Sequence, residues 1–289
     1  MMRNELKMKL GITGNTFGRF GENRYQKMAE IGFRYTDFDL AGTDSAWYTA
    51  DEDTLCRLVK AEKQLCADAG VTINQVHGPW RWPPQDNTPE DRAERMEKMK
   101  HSIRVTAMLG CKNWVIHPIM PFGIDDLDTG KAKETWDLNV TFMRELLSCA
   151  KEYDVVICFE NMPMVRFSLA TPTDILRFVN EMNDEHFQVC LDTGHVNVFP
   201  SLTLGGAVRE LGSTIRVMHV HDNDGKADRH QLPYIGTADW EDFGRALHEI
   251  GYDGVFSYET SPWGSMPDPV YEAACRMMVT MAETITMER

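Results

Sequence analysis

Nothing in the 289-residue chain approaches the roughly 18 consecutive apolar residues of a membrane span, and Met1 to Leu10 is too polar for a signal peptide. A cytoplasmic protein away from membranes is the expectation. There is no C-x-x-C pair among the seven cysteines (Cys56, Cys66, Cys111, Cys149, Cys158, Cys190 and Cys275). Their odd number and mostly apolar settings read as small buried thiols in a reducing compartment, not as a disulfide framework. Stretches rich in Pro, Gly or Ser that would mark a linker are missing, so residues 1–289 read as one domain. Positive charge is scarce, with 30 Lys and Arg against 44 Asp and Glu and a net charge of −14. That balance disfavours nonspecific attraction to a nucleic-acid backbone, although a local basic or metal-filled groove stays open. Gly14, Gly18 and Gly21 fit neither G-x-G-x-x-G nor a P-loop, and no G-x-S-x-G elbow supports serine hydrolysis.

What is present is an alternation of short apolar runs with helical patterns, eight pairs in all. The strand-like runs are Lys9 to Thr13, Tyr35 to Leu40, Val71 to Val76, Asn113 to Ile116, Val155 to Phe159, Phe187 to Leu191, Ile215 to Met218 and Gly254 to Tyr258. Near-continuous apolar strands alternating with helices point to a parallel sheet with both faces covered. Strands three to eight run in turn into His77, His117, Glu160, Asp192, His221 and Glu259. An open doubly wound sheet would gather its chemistry at one switch point, whereas a closed barrel draws it from the carboxyl ends of many strands. The expected fold is therefore an α/β single (β/α)8 TIM barrel with its active site at the C-terminal ends of the strands.

Glu160, Asp192, His221 and Glu259 would then converge from adjacent strands, a concentration of charge that calls for a cation. Mostly oxygen ligands with one nitrogen suit Mn, Co, Mg or Fe, with Zn also open. Hydrogen-bonded structural carboxylates are the alternative. Asp222, Asp228 and His230 add further ligand types within nine residues of His221. Trp80-Arg81-Trp82, after the third strand, suits stacking on a sugar ring as well as on a base. Phe17, Trp47, Phe122 and Trp263 fall in loops of the same face and are weaker candidates for the pocket wall. Trp114, Trp136 and Trp240 are expected in the core, and the 18 methionines read as core filler.

In order, Val-Ile-His117-Pro, Phe-Glu160-Asn, Leu-Asp192-Thr-Gly-His195, His221-Asp-Asn-Asp-Gly-Lys226, Asp228-Arg-His230-Gln-Leu-Pro-Tyr-Ile-Gly236 and Tyr-Glu259 resemble the xylose-isomerase-like barrel superfamily. Its members include sugar isomerases, ketose 3-epimerases, inosose dehydratases and endonuclease IV. The resemblance to the epimerase branch implies one divalent metal on Glu160, Asp192, His221 and Glu259 that chelates two vicinal sugar oxygens and stabilises an enediolate. Glu160 and Glu259 would remove and return the proton, and His195 would hydrogen-bond a substrate oxygen. A small sugar or polyol is the implied partner, a homo-oligomer is left open, and the epimerases' Arg is answered here only by Lys226. The endonuclease branch implies instead up to three zinc ions on His77, His117, Glu160, Asp192, His195, His221, Asp228, His230 and Glu259. An inosose-dehydratase-like lyase is a third reading.

Overall fold

The computed structural model describes residues 9–80, 84 and 86–287. Arg81 and Trp82, two of the three residues expected to stack on a ligand, lie outside that set. The order is β1 (Lys9–Thr13), a 3-10 stretch (Gly14–Asn23), α1 (Arg24–Ile31), β2 (Tyr35–Asp39), α2 (Ala46–Thr49), α3 (Glu52–Ala69), β3 (Thr72–His77) and α4 (Pro89–Leu109). Then come β4 (Asn113–Ile116), α5 (Ala132–Glu152), β5 (Val156–Glu160), α6 (Pro172–Met182), β6 (Phe187–Asp192), α7 (Thr193–Asn197) and α8 (Leu204–Leu211). The chain ends with β7 (Ile215–His219), α9 (Trp240–Glu249), β8 (Val255–Tyr258) and α10 (Asp268–Thr286).

Every strand pairs in parallel with its neighbours, in the order β7-β6-β5-β4-β3-β2-β1-β8. A further parallel bridge, Val220 to Tyr258, joins β7 to β8 and closes the barrel. The chain's own punctuation sets the helices. Thr88 and Asp91 form a capping box at α4, Thr171 and Asp174 do the same at α6, and each box is followed by proline. Gly70 and Gly110 end α3 and α4 in the left-handed region.

The period of two along each strand divides the core. Trp114, Ile116, Ile157, Phe159, Val189, Leu191, Met218, Phe256 and Tyr258 face the helices and join the large buried cluster. Their strand neighbours Val115, Cys158, Cys190 and Val217 form a separate cluster. These four plug the barrel below its C-terminal mouth. One step of two residues above the plug stand His117, Glu160, Asp192 and His219, so packing at one level fixes the polar side chains at the next.

Of the aromatic expectations, Trp114, Trp136 and Trp240 are buried. Phe17 is core, Trp47 packs edge-on against Phe38, and Phe122 and Trp263 are exposed. None of these last four lines the pocket described next.

Candidate metal and substrate site

A cavity of about 600 Å³ opens at the C-terminal ends of the strands. His77, Trp80, His117, Glu160, His195, His219, Asp228, His230 and Glu259 are among the residues that line it. That volume is ordinary for a small-molecule site.

His219 stands at the centre. Its Nδ1 is 3.0 Å from Glu160 Oε1, 3.4 Å from Glu259 Oε1 and 4.0 Å from Asp192 Oδ2. Glu160, Asp192, His219 and Glu259 thus present four ligand atoms within 4.8 Å of one another. The sequence expectation placed His221 with Glu160, Asp192 and Glu259; the structure brings His219 to that point as well, and His221 falls in two overlapping clusters, with Asp192 and His195 and with His230 and Glu259. In the sheet register Asp192 lies beside His219, where β7 ends. His221 is two residues further on, roughly 6–7 Å along the strand. It is buried, stacks on His230 with centroids 4.0 Å apart, and its Nε2 pairs with Asp192 Oδ2 at 2.9 Å.

Two more clusters flank the quartet. On one side His77 Nε2, His117 Nε2 and Glu160 Oε2 converge, at 3.3 Å between the imidazoles and 3.6 and 3.1 Å to the carboxylate. On the other, His195 Nε2 and His230 Nε2 each lie 3.2 Å from Asp228 Oδ2.

Backbone carbonyls orient three of these rings. The Nδ1–H of His77 donates to Gly78 O at 2.9 Å, that of His195 to Asn161 O at 2.7 Å and that of His230 to Glu259 O at 2.7 Å. Each bond turns Nε2 toward the cavity, as the outer partner of a metal-bound histidine does. Glu160 Oε2 and His117 Nδ1 are buried without a hydrogen-bond partner. Lone pairs aimed at one another across 3.1–3.6 Å need a proton or a cation between them, so the donor set fits a divalent metal.

Without a cation, the carboxylates keep protons on two of the imidazoles around them. Burial alone would raise the Glu160 carboxyl, but His219 and His117 beside it hold it well below its usual range. Burial lowers His195 as well, yet the charge of Asp192 and the bond to Asp228 outweigh it and raise the ring to about 10. His230 is raised to about 9, since Asp228 and Glu259 outweigh burial. His117 moves the other way, to about 4, because burial dominates.

The loop between β7 and α9 carries Asp228 and His230 and is closed by Asp222. This buried carboxylate accepts from Asn223 N at 2.8 Å, Ala238 N at 3.2 Å, Gly236 N at 3.1 Å and Trp240 Nε1 at 2.9 Å. Gly236 is required there, because a Cβ would meet Asn223 O at 2.1 Å. Lys226 is exposed on this loop, and Arg229 pairs with Asp224 at 2.9 Å. Neither lines the cavity.

Among the polar groups of the lining, sequence reasoning did not single out His219, Asp37, Asp39 or Gln75. For the two acids a signal existed, the alternation Asp37-Phe38-Asp39, which puts both on one face of β2.

With this geometry in view, comparison with known proteins is informative. The family model for the xylose isomerase-like TIM barrel matches residues 25–281, and the chain belongs to that family. An uncharacterized protein, MJ1311, of Methanocaldococcus jannaschii is 29% identical over 191 residues, 64% of this chain and 63% of that protein. The D-psicose 3-epimerase of Ruminiclostridium cellulolyticum is 26% identical over 237 residues, 79% of this chain and 74% of the relative. A probable endonuclease 4 of Mycoplasmopsis agalactiae is 24% identical over 203 residues, 64% of this chain and 66% of the relative. Among solved structures, D-psicose 3-epimerase with D-tagatose from Clostridium cellulolyticum H10 superposes with a TM-score of 0.76 at 19% identity, covering 97% of this chain and 100% of that one. That likeness is one of fold.

Proposed function

We propose that the protein is a divalent-metal-dependent sugar isomerase or epimerase. The observation that carries this reading is the pair of carboxylates, Glu160 and Glu259, set at 3.0 and 3.4 Å from the same His219 nitrogen in a cavity of small-molecule size. The epimerases among the relatives support it.

Glu160, Asp192, His219 and Glu259 would hold the cation. When bound, it supplies the charge that gathers two vicinal sugar oxygens and acidifies the C–H between them. Glu160 and Glu259 then take and return the proton at that carbon. Glu160 is ionised at neutral pH, since its carboxyl is held well below the usual range, and so can act as the base. Glu259, whose side chain is 26% exposed, reaches the cavity from the neighbouring β8. His195, fixed by Asn161 O, offers Nε2 to a substrate hydroxyl. Asp192 caps α7 through His195 N at 2.7 Å, which ties the position of that histidine to the quartet. The test is turnover of ketoses in D2O: deuterium must enter the product at the reacting carbon, and epimerisation without it would refute the two-carboxylate route.

A second reading is favoured by the flanking His77–His117–Glu160 and His195–Asp228–His230 clusters. Together with the quartet they could hold more than one zinc ion for phosphodiester hydrolysis, and the endonuclease 4 relative accords with this. Two to three zinc equivalents and cleavage of abasic-site DNA would establish it. Ultraviolet absorbance from an unsaturated product would instead mark lyase chemistry.

A further inference from the structure

Within the cavity lining, β2 and β3 carry polar groups for which the proposed proton transfer has no use. Asp37 and Gln75 are register partners on neighbouring strands, and both line the cavity. Gln75 is 1% exposed, and its Nε2 reaches across the barrel toward Met218 O at 3.5 Å, next to His219. Its Oε1 is buried and accepts no hydrogen bond. Asp37 accepts from Ser257 Oγ at 2.5 Å and Asn74 Nδ2 at 3.4 Å. Ser257 can stand there because the facing residue on β1 is Gly11, where a Cβ would come within 2.6 Å of its hydroxyl.

A buried amide oxygen without a donor is unfavourable, and one that borders a cavity is satisfied by whatever fills it. We propose that Asp37 and Gln75 form a hydroxyl-recognition subsite for the part of the substrate remote from the reacting carbon, with Gln75 Oε1 accepting an O–H. The inference rests on the sugar reading above and narrows it. The subsite presents acceptors, a carboxyl and an amide oxygen, so it selects hydroxyl donors. A phosphate or carboxylate at that end would set oxygen against oxygen. The substrate class is thus a polyhydroxylated ketose that is neutral at the end seated on β2 and β3.

The test is calorimetric titration of the Mn²⁺-loaded protein with a panel of ketohexoses, their monodeoxy counterparts and their terminal phosphates. The best-bound ketohexose should lose about tenfold in affinity in one monodeoxy form, the weight of one hydrogen bond to a buried acceptor. Its terminal phosphate should bind at least as weakly. Gln75→Leu should weaken the parent sugar by a similar factor and abolish the discrimination, whereas Gln75→Asn, which keeps both an amide donor and an acceptor, should retain part of it. Metal content should be unchanged in both. Equal affinity for parent and every deoxy sugar, discrimination that survives Gln75→Leu, or no ketohexose binding would overturn the subsite. Binding as expected with no turnover of the bound ketose would leave the subsite standing and refute the epimerase reading.

Discussion

Asp222→Asn is the sharpest structural perturbation that leaves the cavity lining intact. The wild-type carboxylate receives four hydrogen bonds, two on each oxygen, from Asn223 N, Ala238 N, Gly236 N and Trp240 Nε1. An amide keeps one acceptor oxygen and turns an NH2 group toward two donors that have nowhere else to go. Each buried group left unpaired costs about 1–3 kcal/mol, so a loss of roughly 2–5 kcal/mol is expected after partial relaxation. Urea unfolding of the metal-free protein should give that difference. The damage should also be local, because the carboxylate closes the segment that carries Asp228 and His230. Hydrogen exchange at Gly236 and Ala238 should therefore accelerate more than at the β5 and β6 ladder. A variant within about 0.5 kcal/mol of wild type, or one whose exchange rises uniformly, would refute the reasoning.

Glu160→Gln and Glu259→Gln should each lower turnover by about 10²–10⁴-fold while circular dichroism stays native; near-normal turnover of either would end the two-carboxylate route. His221→Ala should weaken metal binding by about 10–100-fold, as loss of an outer partner does, and His219→Ala by more; the reverse order in a competitive chelator titration would restore His221 to the quartet. In the metal-free protein His195 is raised to about 10 against about 6.5 unfolded, so its contribution is complete below pH 6.5 and lost as pH rises through 10. The stability gap between wild type and His195→Gln should accordingly shrink from pH 6 to pH 10, and a gap that widens contradicts the assignment. Gly194→Ala should cost about 1–3 kcal/mol, measured by thermal unfolding, because its Cβ would fall 1.9 Å from His221 Cε1.

The barrel was legible in the sequence because eight apolar runs and their caps repeat one local rule, and strand ends came within a residue or two of the observed ones. The site was legible where one ligand type ends one strand, as at His117, Glu160, Asp192 and Glu259. It was ambiguous at His219-Val220-His221, where both imidazoles share the inward parity, His219 level with Asp192 in the register and His221 paired with its carboxylate. Asp37, Asp39 and Gln75 escaped because their place at the cavity depends on which strands the barrel brings together. The alternation Asp37-Phe38-Asp39 shows that the two acids share a face, not that the face borders a cavity. Lys226 was chosen for its place after the histidines, but the turn held by Asp224 points that stretch to solvent.

The most direct measurement is elemental analysis of the protein purified without chelators, set beside the same analysis of His219→Ala. The proposed function calls for about one equivalent of Mn, Co, Mg or Fe per chain, lost in the variant. Two to three equivalents of zinc, or full ketose epimerisation by rigorously metal-free protein, would contradict it.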